Sequence, residues 1–160
     1  MKNVLKTLGF LLVAPGTVAG WIPYFILRSN NILFSPAGPR LLGFLPLALG
    51  LSTLLWCAWD FAVKGQGTPA PIDPPKKLVV QGLYRFVRNP MYVGIELILL
   101  GETILWAFPP LLGYAFAVFA LFNLFIFFYE EPALRGKFGK EYERYRRAVP
   151  RWIPRSSRHD

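Results

Sequence analysis

Four long apolar runs, separated by shorter polar segments, dominate the hydrophobic pattern of the chain. They comprise residues 8–27, 41–63, 91–108 and 111–129. Each is close to the ~20 residues that a helix needs to cross a ~30 Å hydrocarbon core. The pattern predicts an all-α fold, an integral membrane helical bundle with about four transmembrane helices.

The 160 residues are predicted to form a single membrane domain (1–160) in four parts. These are two N-terminal spans (1–63), a cytoplasmic loop rich in Gly and Pro (64–90), a helical hairpin (91–129) and a basic tail (130–160). The first run is long and lacks a clear small-residue cleavage site, so it is interpreted as a retained span.

Within the first run, two prolines predict a kink and two glycines predict close approach of another helix. Pro15 and Pro23 are the prolines, and Gly16 and Gly20 form a small-xxx-small face. In the third run, Gly94 and Gly101 share one face and predict close packing against a neighbour. Both glycine pairs indicate tight contacts between helices.

The last part of the chain changes to an amphipathic pattern. Its apolar residues recur every three or four positions, which is typical of one helix face: Leu134, Phe138, Tyr142, Tyr145 and Val149. Basic residues occupy the remainder. The pattern predicts a C-terminal amphipathic helix at the membrane interface, bent at Gly136 and Gly139.

The charge distribution indicates membrane lipids as partners. The net charge is +9 although only 17% of residues are charged, and the basic residues cluster at the edges of the apolar runs. Anionic lipid headgroups explain this better than nucleic acid. The positive-inside rule places both termini in the cytoplasm of a multi-pass protein, as in a bacterial inner membrane. One cysteine and one histidine argue against a disulfide or a metal site.

A compact motif, Arg88-Asn89-Pro90, stands where the polar loop meets the third run. Asn89 is expected to cap the helix and Pro90 to occupy its first position. Free N–H groups at such a helix start, with Arg88 beside them, favour an anionic ligand group. Some forty residues later, Glu130-Glu131 follows the fourth run, and the predicted topology places both motifs on one membrane face.

These two motifs carry a resemblance to a known family. Arg-x-Pro-x-Tyr-x-Gly begins at Arg88, and Glu-Glu-x-x-Leu-x-x-x-Phe-Gly-x-x-Tyr-x-x-Tyr begins at Glu130. Together they resemble the isoprenylcysteine carboxyl methyltransferase and phospholipid methyltransferase superfamily of membrane enzymes, in its small bacterial form. The resemblance covers residues 67–154. It implies an S-adenosylmethionine-dependent methyltransferase acting on a lipophilic acceptor, either an isoprenylcysteine-like carboxylate or a phospholipid amine headgroup.

The resemblance also implies a cofactor site between the two motifs. Arg88 would bind the cofactor carboxylate, and Glu130 or Glu131 would bind its ammonium. Glu131, Arg88 and Asn89 are the predicted catalytic residues; Asn89 stands where many relatives have histidine, and asparagine cannot exchange a proton near neutrality. The other predicted cofactor residues are Gly82, Leu83, Tyr84, Pro90, Tyr92, Gly94, Leu134, Phe138 and Tyr142.

Two other interpretations remain open at this stage. Membrane sterol reductases share a similar C-terminal pattern but use NADPH, whose extra phosphate the basic tail would bind. A non-enzymatic protein that binds anionic lipid would explain the charge but not the acids. Glu96 and Glu102 lie within the third run, where carboxylates are costly, and are either structural or functional. The oligomeric state does not follow from the sequence.

Overall fold

The computed structural model describes residues 2–35, 37–63 and 77–154, so most of the predicted cytoplasmic loop lies outside the described residues. Within these ranges every regular element is a helix, which confirms the predicted all-α class. The α-helices are α1 (Lys2–Gly16), α2 (Ile22–Ser29), α3 (Phe44–Val63), α4 (Pro90–Trp106), α5 (Pro109–Phe125), α6 (Glu131–Phe138) and α7 (Lys140–Ala148). Short 3₁₀ helices (Gly38–Gly43 and Gly82–Arg85) precede α3 and α4.

The first two α-helices form one continuous helix through a π-helical turn, Thr17–Trp21. This turn lies between Pro15 and Pro23, whose rings supply no backbone N–H for the regular helical hydrogen bonds. The helix type therefore changes locally between the two prolines, and the kink predicted for this helix stays a prediction. The predicted glycine contact is wrong for the described chain, because no atom of another helix comes within 4 Å of a Cβ built on Gly16 or Gly20.

Among the described residues, three helical stretches are long and apolar enough to cross a membrane: Gly9–Ser29, Gly38–Phe61 and Pro109–Phe138. They correspond to the first, second and fourth predicted spans. The third predicted span, α4, has 17 residues, a rise of about 25 Å, which is shorter than a ~30 Å hydrocarbon core. The described structure therefore supports a membrane protein with three candidate spans.

Helix α3 and the 3₁₀ helix before it pack against α4 through paired glycines. A Cβ built on Gly50 would lie 2.5 Å from the carbonyl oxygen of Gly94, and one on Gly43 would lie 2.6 Å from that of Gly101. Because any side chain at these positions would collide with backbone, the two helices can approach this closely only at glycine. The predicted packing role of Gly94 and Gly101 is confirmed.

The C-terminal helices differ in detail from the single amphipathic helix that the pattern predicts. A π-helical turn, Ile126–Glu130, joins α5 to α6 without a break, so the Glu-Glu motif lies inside a 30-residue helix. The break occurs at Gly139, whose φ of 51° and ψ of −123° are suited to glycine. Gly136 lies within α6, so the predicted bend there is wrong.

Candidate cofactor site at the start of helix α4

The two sequence motifs meet through a buried ion pair. An Nη1 donor of Arg88 contacts the Oε1 atom of Glu131 at 2.9 Å, across 43 residues of sequence. The exposed fractions of the two side chains are 11% and 6%. Burial this deep is expected only for charges that are paired, so the contact couples the start of α4 to the start of α6.

A second arginine reaches the same carboxylate from the chain that follows α7. Arg151 donates to Glu131 Oε1 from Nη2 at 2.7 Å and from Nε at 3.2 Å. Arg151 is absent from the predicted site, because nothing in its spacing relates it to Glu131. The available signal was its place in Val149-Pro150-Arg151, which follows the Tyr-x-x-Tyr motif.

The segment that carries Arg151, residues 149–152, is called here the C-terminal strap. Its Pro150 carbonyl accepts from the Arg88 backbone N–H at 2.9 Å. At its other end, the indole N–H of Trp152 donates to the side-chain oxygen of Asn123 at 3.2 Å, and its ring lies 5.0 Å from that of Phe119. The strap thereby links the start of α4 to the C-terminal half of α5.

The strap also explains why one predicted cap is wrong. Pro90 occupies the first turn of α4 as expected, but the Asn89 side chain makes no capping hydrogen bond. Its amide instead donates to the Arg151 carbonyl at 3.5 Å. The side-chain amide of Asn89 thus bonds to a carbonyl of a segment that is distant in sequence. The local sequence around Asn89 gives no sign of this contact.

Tyrosine hydroxyls complete the polar network. Tyr92 donates to Glu130 Oε2 at 2.8 Å, and Tyr145 donates to the Tyr84 carbonyl at 2.7 Å. The Tyr142 hydroxyl accepts from Arg88 Nη1 at 3.3 Å. Burial raises the pKa of Tyr84, Tyr142 and Tyr145, so these phenols stay protonated near neutrality.

A cavity of about 130 Å³ adjoins this network. Its polar lining comes from Tyr84, Arg88, Asn89, Tyr92 and Glu130. Its apolar lining comes from the first helix and from the helices that pack against it: Phe10, Ala14, Pro15, Val18, Phe61, Met91, Ile95 and Phe122. The cavity therefore joins a charged, hydrogen-bonding wall to a hydrocarbon wall.

The structure brings together some of the predicted site residues and places others elsewhere. Five of them line the cavity, and Glu131 and Tyr142 contact Arg88 behind it. Gly82, with a φ of 59°, packs directly on the Asp60 side chain, and Gly94 packs on α3. Neither glycine lines the cavity, and the same is true of Leu83, Pro90, Leu134 and Phe138. The wall formed by the first helix was not predicted.

A second, larger concavity lies on α7. Its volume is about 500 Å³, and its lining is charged: Lys140, Glu143, Arg144 and Arg147, with Ala148. Glu143 forms ion pairs with Arg135 and Arg146. This basic groove contains no buried polar residue, so it has the character of a charged surface rather than of an enclosed site.

The chain belongs to the phospholipid methyltransferase family, because the model of that family matches residues 39–141, more than half of the sequence. This range includes Arg88, the Glu-Glu motif and the cavity-lining part of α4.

Individual relatives agree with this assignment. A Schizosaccharomyces pombe protein named protein-S-isoprenylcysteine O-methyltransferase is 32% identical over 127 residues, which cover 78% of this chain and 52% of that protein. The chain thus spans about half the length of that relative. An uncharacterised Haemophilus influenzae protein is 42% identical over 64 residues, 39% of this chain and 100% of its own length. No solved structure matches the chain.

Proposed function

We propose that this protein is an S-adenosylmethionine-dependent membrane methyltransferase whose acceptor is lipophilic. One observation carries the proposal: Arg88 and the Glu-Glu motif meet beside a cavity that is polar on one wall and apolar on the other. In a member of the phospholipid methyltransferase family, this arrangement suits a polar methyl donor next to a lipid acceptor.

The chemistry of the site fits the donor. The Nε atom of Arg88 is buried and has no hydrogen-bond partner among the described residues, so a ligand carboxylate would satisfy it. Glu130 lines the cavity and offers a counter-charge to an ammonium or sulfonium. A cavity of about 130 Å³ is below the ~300 Å³ typical of ligand sites, so we expect it to widen when the donor binds.

Bound S-adenosylmethionine would supply an electrophilic methyl group on a sulfonium. The protein then has to align the acceptor with that methyl group and keep water out. The apolar wall formed by Phe10, Ala14 and Val18 suits the hydrocarbon part of an acceptor. A carboxylate acceptor needs no base, whereas a protonated amine must first lose a proton, and Glu130 is the cavity-lining carboxylate able to accept it.

The membrane arrangement belongs to the same proposal. We infer that α4 crosses the membrane as a fourth span, paired with α3 through the glycine contacts, and that both termini are cytoplasmic. Helices α6 and α7 would then lie at the cytoplasmic interface. There Lys140, Arg144 and Arg147 line the exposed groove of α7 and would meet anionic lipid headgroups.

Calorimetric titration of the detergent-solubilised protein tests this function. S-adenosylmethionine and its demethylated product should both bind, and NADPH should not. Arg88→Ala should weaken both affinities about tenfold or more, the loss expected for a charge-assisted hydrogen bond. The matched control Arg40→Ala, exposed in the 3₁₀ helix before α3, should leave them unchanged.

Three results would count against this function. Tight NADPH binding without any response to the methyl donor would favour a reductase. A protein that binds neither cofactor but is stabilised by anionic lipid would favour a non-enzymatic role. If the donor bound but transferred no labelled methyl group to any component of a membrane lipid extract, the proposed lipophilic acceptor would be wrong.

A further inference from the structure

Three N–H groups converge on a single oxygen of Glu131. Arg151 supplies two of them and Arg88 supplies one, all to Oε1. An arginine that faces a carboxylate alone tends to form two parallel hydrogen bonds with it. Arg88 makes only one hydrogen bond to Glu131, and Arg151 places two donors on the same oxygen.

The consequence for Arg88 is a donor left over at the cavity wall. Its Nε atom is buried without a hydrogen-bond partner in the described part of the chain, and the residue lines the cavity. A buried, unsatisfied donor costs roughly 1–3 kcal/mol, and more when it belongs to a charged group. This unpaired donor favours an anionic ligand group beside Arg88.

We propose that Arg151 is a positioning residue: by holding Glu131, it keeps Arg88 available to bind the carboxylate of the methyl donor. This inference rests on the proposed function and assigns a role to the C-terminal strap. Without Arg151, Arg88 would turn both donors toward Glu131 and present fewer to the cavity. Arg151 itself does not line the cavity, so its effect on the ligand is indirect.

The strap is built to hold Arg151 in place. Its backbone accepts hydrogen bonds from Arg88 and Asn89, and Trp152 attaches it to α5. The Arg151 side chain is 29% exposed, so its removal leaves an opening to solvent rather than a buried void. A change at Arg151 is therefore expected to alter charge and hydrogen bonding more than packing.

The test compares two ligands that differ only in the group Arg88 is proposed to bind. S-adenosylmethionine and its decarboxylated analogue are titrated against the wild-type protein, Arg151→Ala, Arg151→Lys and the control Arg40→Ala, whose side chain is exposed outside the site. We expect Arg151→Ala to weaken the donor about tenfold and to change the analogue by less than about twofold. Arg151→Lys keeps the charge but not the forked donor pair, so we expect a loss of about threefold for the donor alone.

The ratio of the two affinities decides the outcome, because a merely structural role would not change it. Equal losses for both ligands, or no loss for either, would overturn the inference while leaving the proposed function in place. If Arg151→Ala does not fold, an unchanged ratio in Arg151→Lys would overturn it equally. If neither ligand binds the wild-type protein, the proposed function fails and the positioning role fails with it.

Discussion

Replacing Glu131 by glutamine removes one negative charge from the centre of the motif network while keeping the shape of the side chain. Glu131 is 6% exposed, and it is the carboxylate partner of both Arg88 and Arg151. The substitution leaves two guanidinium groups facing a neutral amide. Because Arg88 is almost fully buried, solvent cannot compensate its charge.

The size of the effect follows from this burial. Removing one partner of a buried ion pair typically costs 3–5 kcal/mol, and the partial exposure of Arg151 favours the lower end, about 3 kcal/mol. For a chain of this length, each kcal/mol corresponds to roughly 2–4 °C in melting temperature. Glu131→Gln should therefore melt about 6–12 °C below the wild-type protein.

The neighbouring Glu130 should behave in the opposite way. It lines the cavity and accepts a hydrogen bond from Tyr92, which the amide oxygen of a glutamine can still accept. Glu130→Gln should change the melting temperature by only about 2 °C, the shift expected for less than 1 kcal/mol. It should weaken binding of the methyl donor about tenfold if Glu130 faces the ligand ammonium or sulfonium.

Melting curves and donor titrations on the same purified variants distinguish the two glutamates. Glu143→Gln serves as a control, since its ion pairs on α7 are partly solvent-exposed and should be worth at most about 1 kcal/mol. The reasoning is refuted if Glu131→Gln melts with the wild-type protein. It is refuted equally if Glu130→Gln loses stability while donor affinity is intact.

Two further predictions concern the framework that supports the site. Gly50→Ala should lower the melting temperature by at least about 4 °C, because its Cβ would overlap the α4 backbone. Gly113→Ala, with open space around its Cβ, should not, and equal melting of the two would contradict the packing account. In a cysteine-free background, single cysteines replacing the exposed Gln81 and Lys140 should react with an impermeant reagent only from the cytoplasm, and one at Ala37 only from outside. Opposite labelling of Gln81 and Lys140 would separate the two motifs.

Local sequence signals predicted the helical elements well. The apolar runs located three candidate spans because lipid-facing helices need apolar residues over their whole length. The Asn-Pro pair located the start of α4, since Pro90 suits the first helical turn. The two sequence motifs also lie in contact, through the hydrogen bond from Arg88 to Glu131.

Contacts between segments that are distant in sequence could not be predicted from local sequence patterns. Asparagine is a residue type that often caps helices, yet the Asn89 amide donates a hydrogen bond to the Arg151 carbonyl instead. The heptad-like spacing of apolar residues in the tail continues across Gly139, although the backbone there leaves the helical region. The apolar cavity wall contributed by Phe10 and Val18 depends on how the first helix packs against α4, which no single run encodes.

The roles of Glu130 and Glu131 in the site also could not be predicted from the local sequence. Adjacent residues on a helix point about 100° apart, so Glu130 and Glu131 cannot share one environment. The sequence does not reveal which of them faces the ligand, although Glu131 is the one predicted to be catalytic. The geometry places Glu130 on the cavity wall and Glu131 between two arginines, which makes Glu130 the better candidate for direct contact with the donor.

Photochemical crosslinking of labelled S-adenosylmethionine to the membrane-embedded protein, followed by mapping of the labelled peptide, tests the central claim most directly. The account predicts label within residues 84–95 or 122–130, the two segments that contain the polar lining of the cavity. An excess of the demethylated product should abolish this label. Label confined to residues 140–148, along the basic groove of α7, or label that the product does not displace, would contradict a shared site between the two motifs.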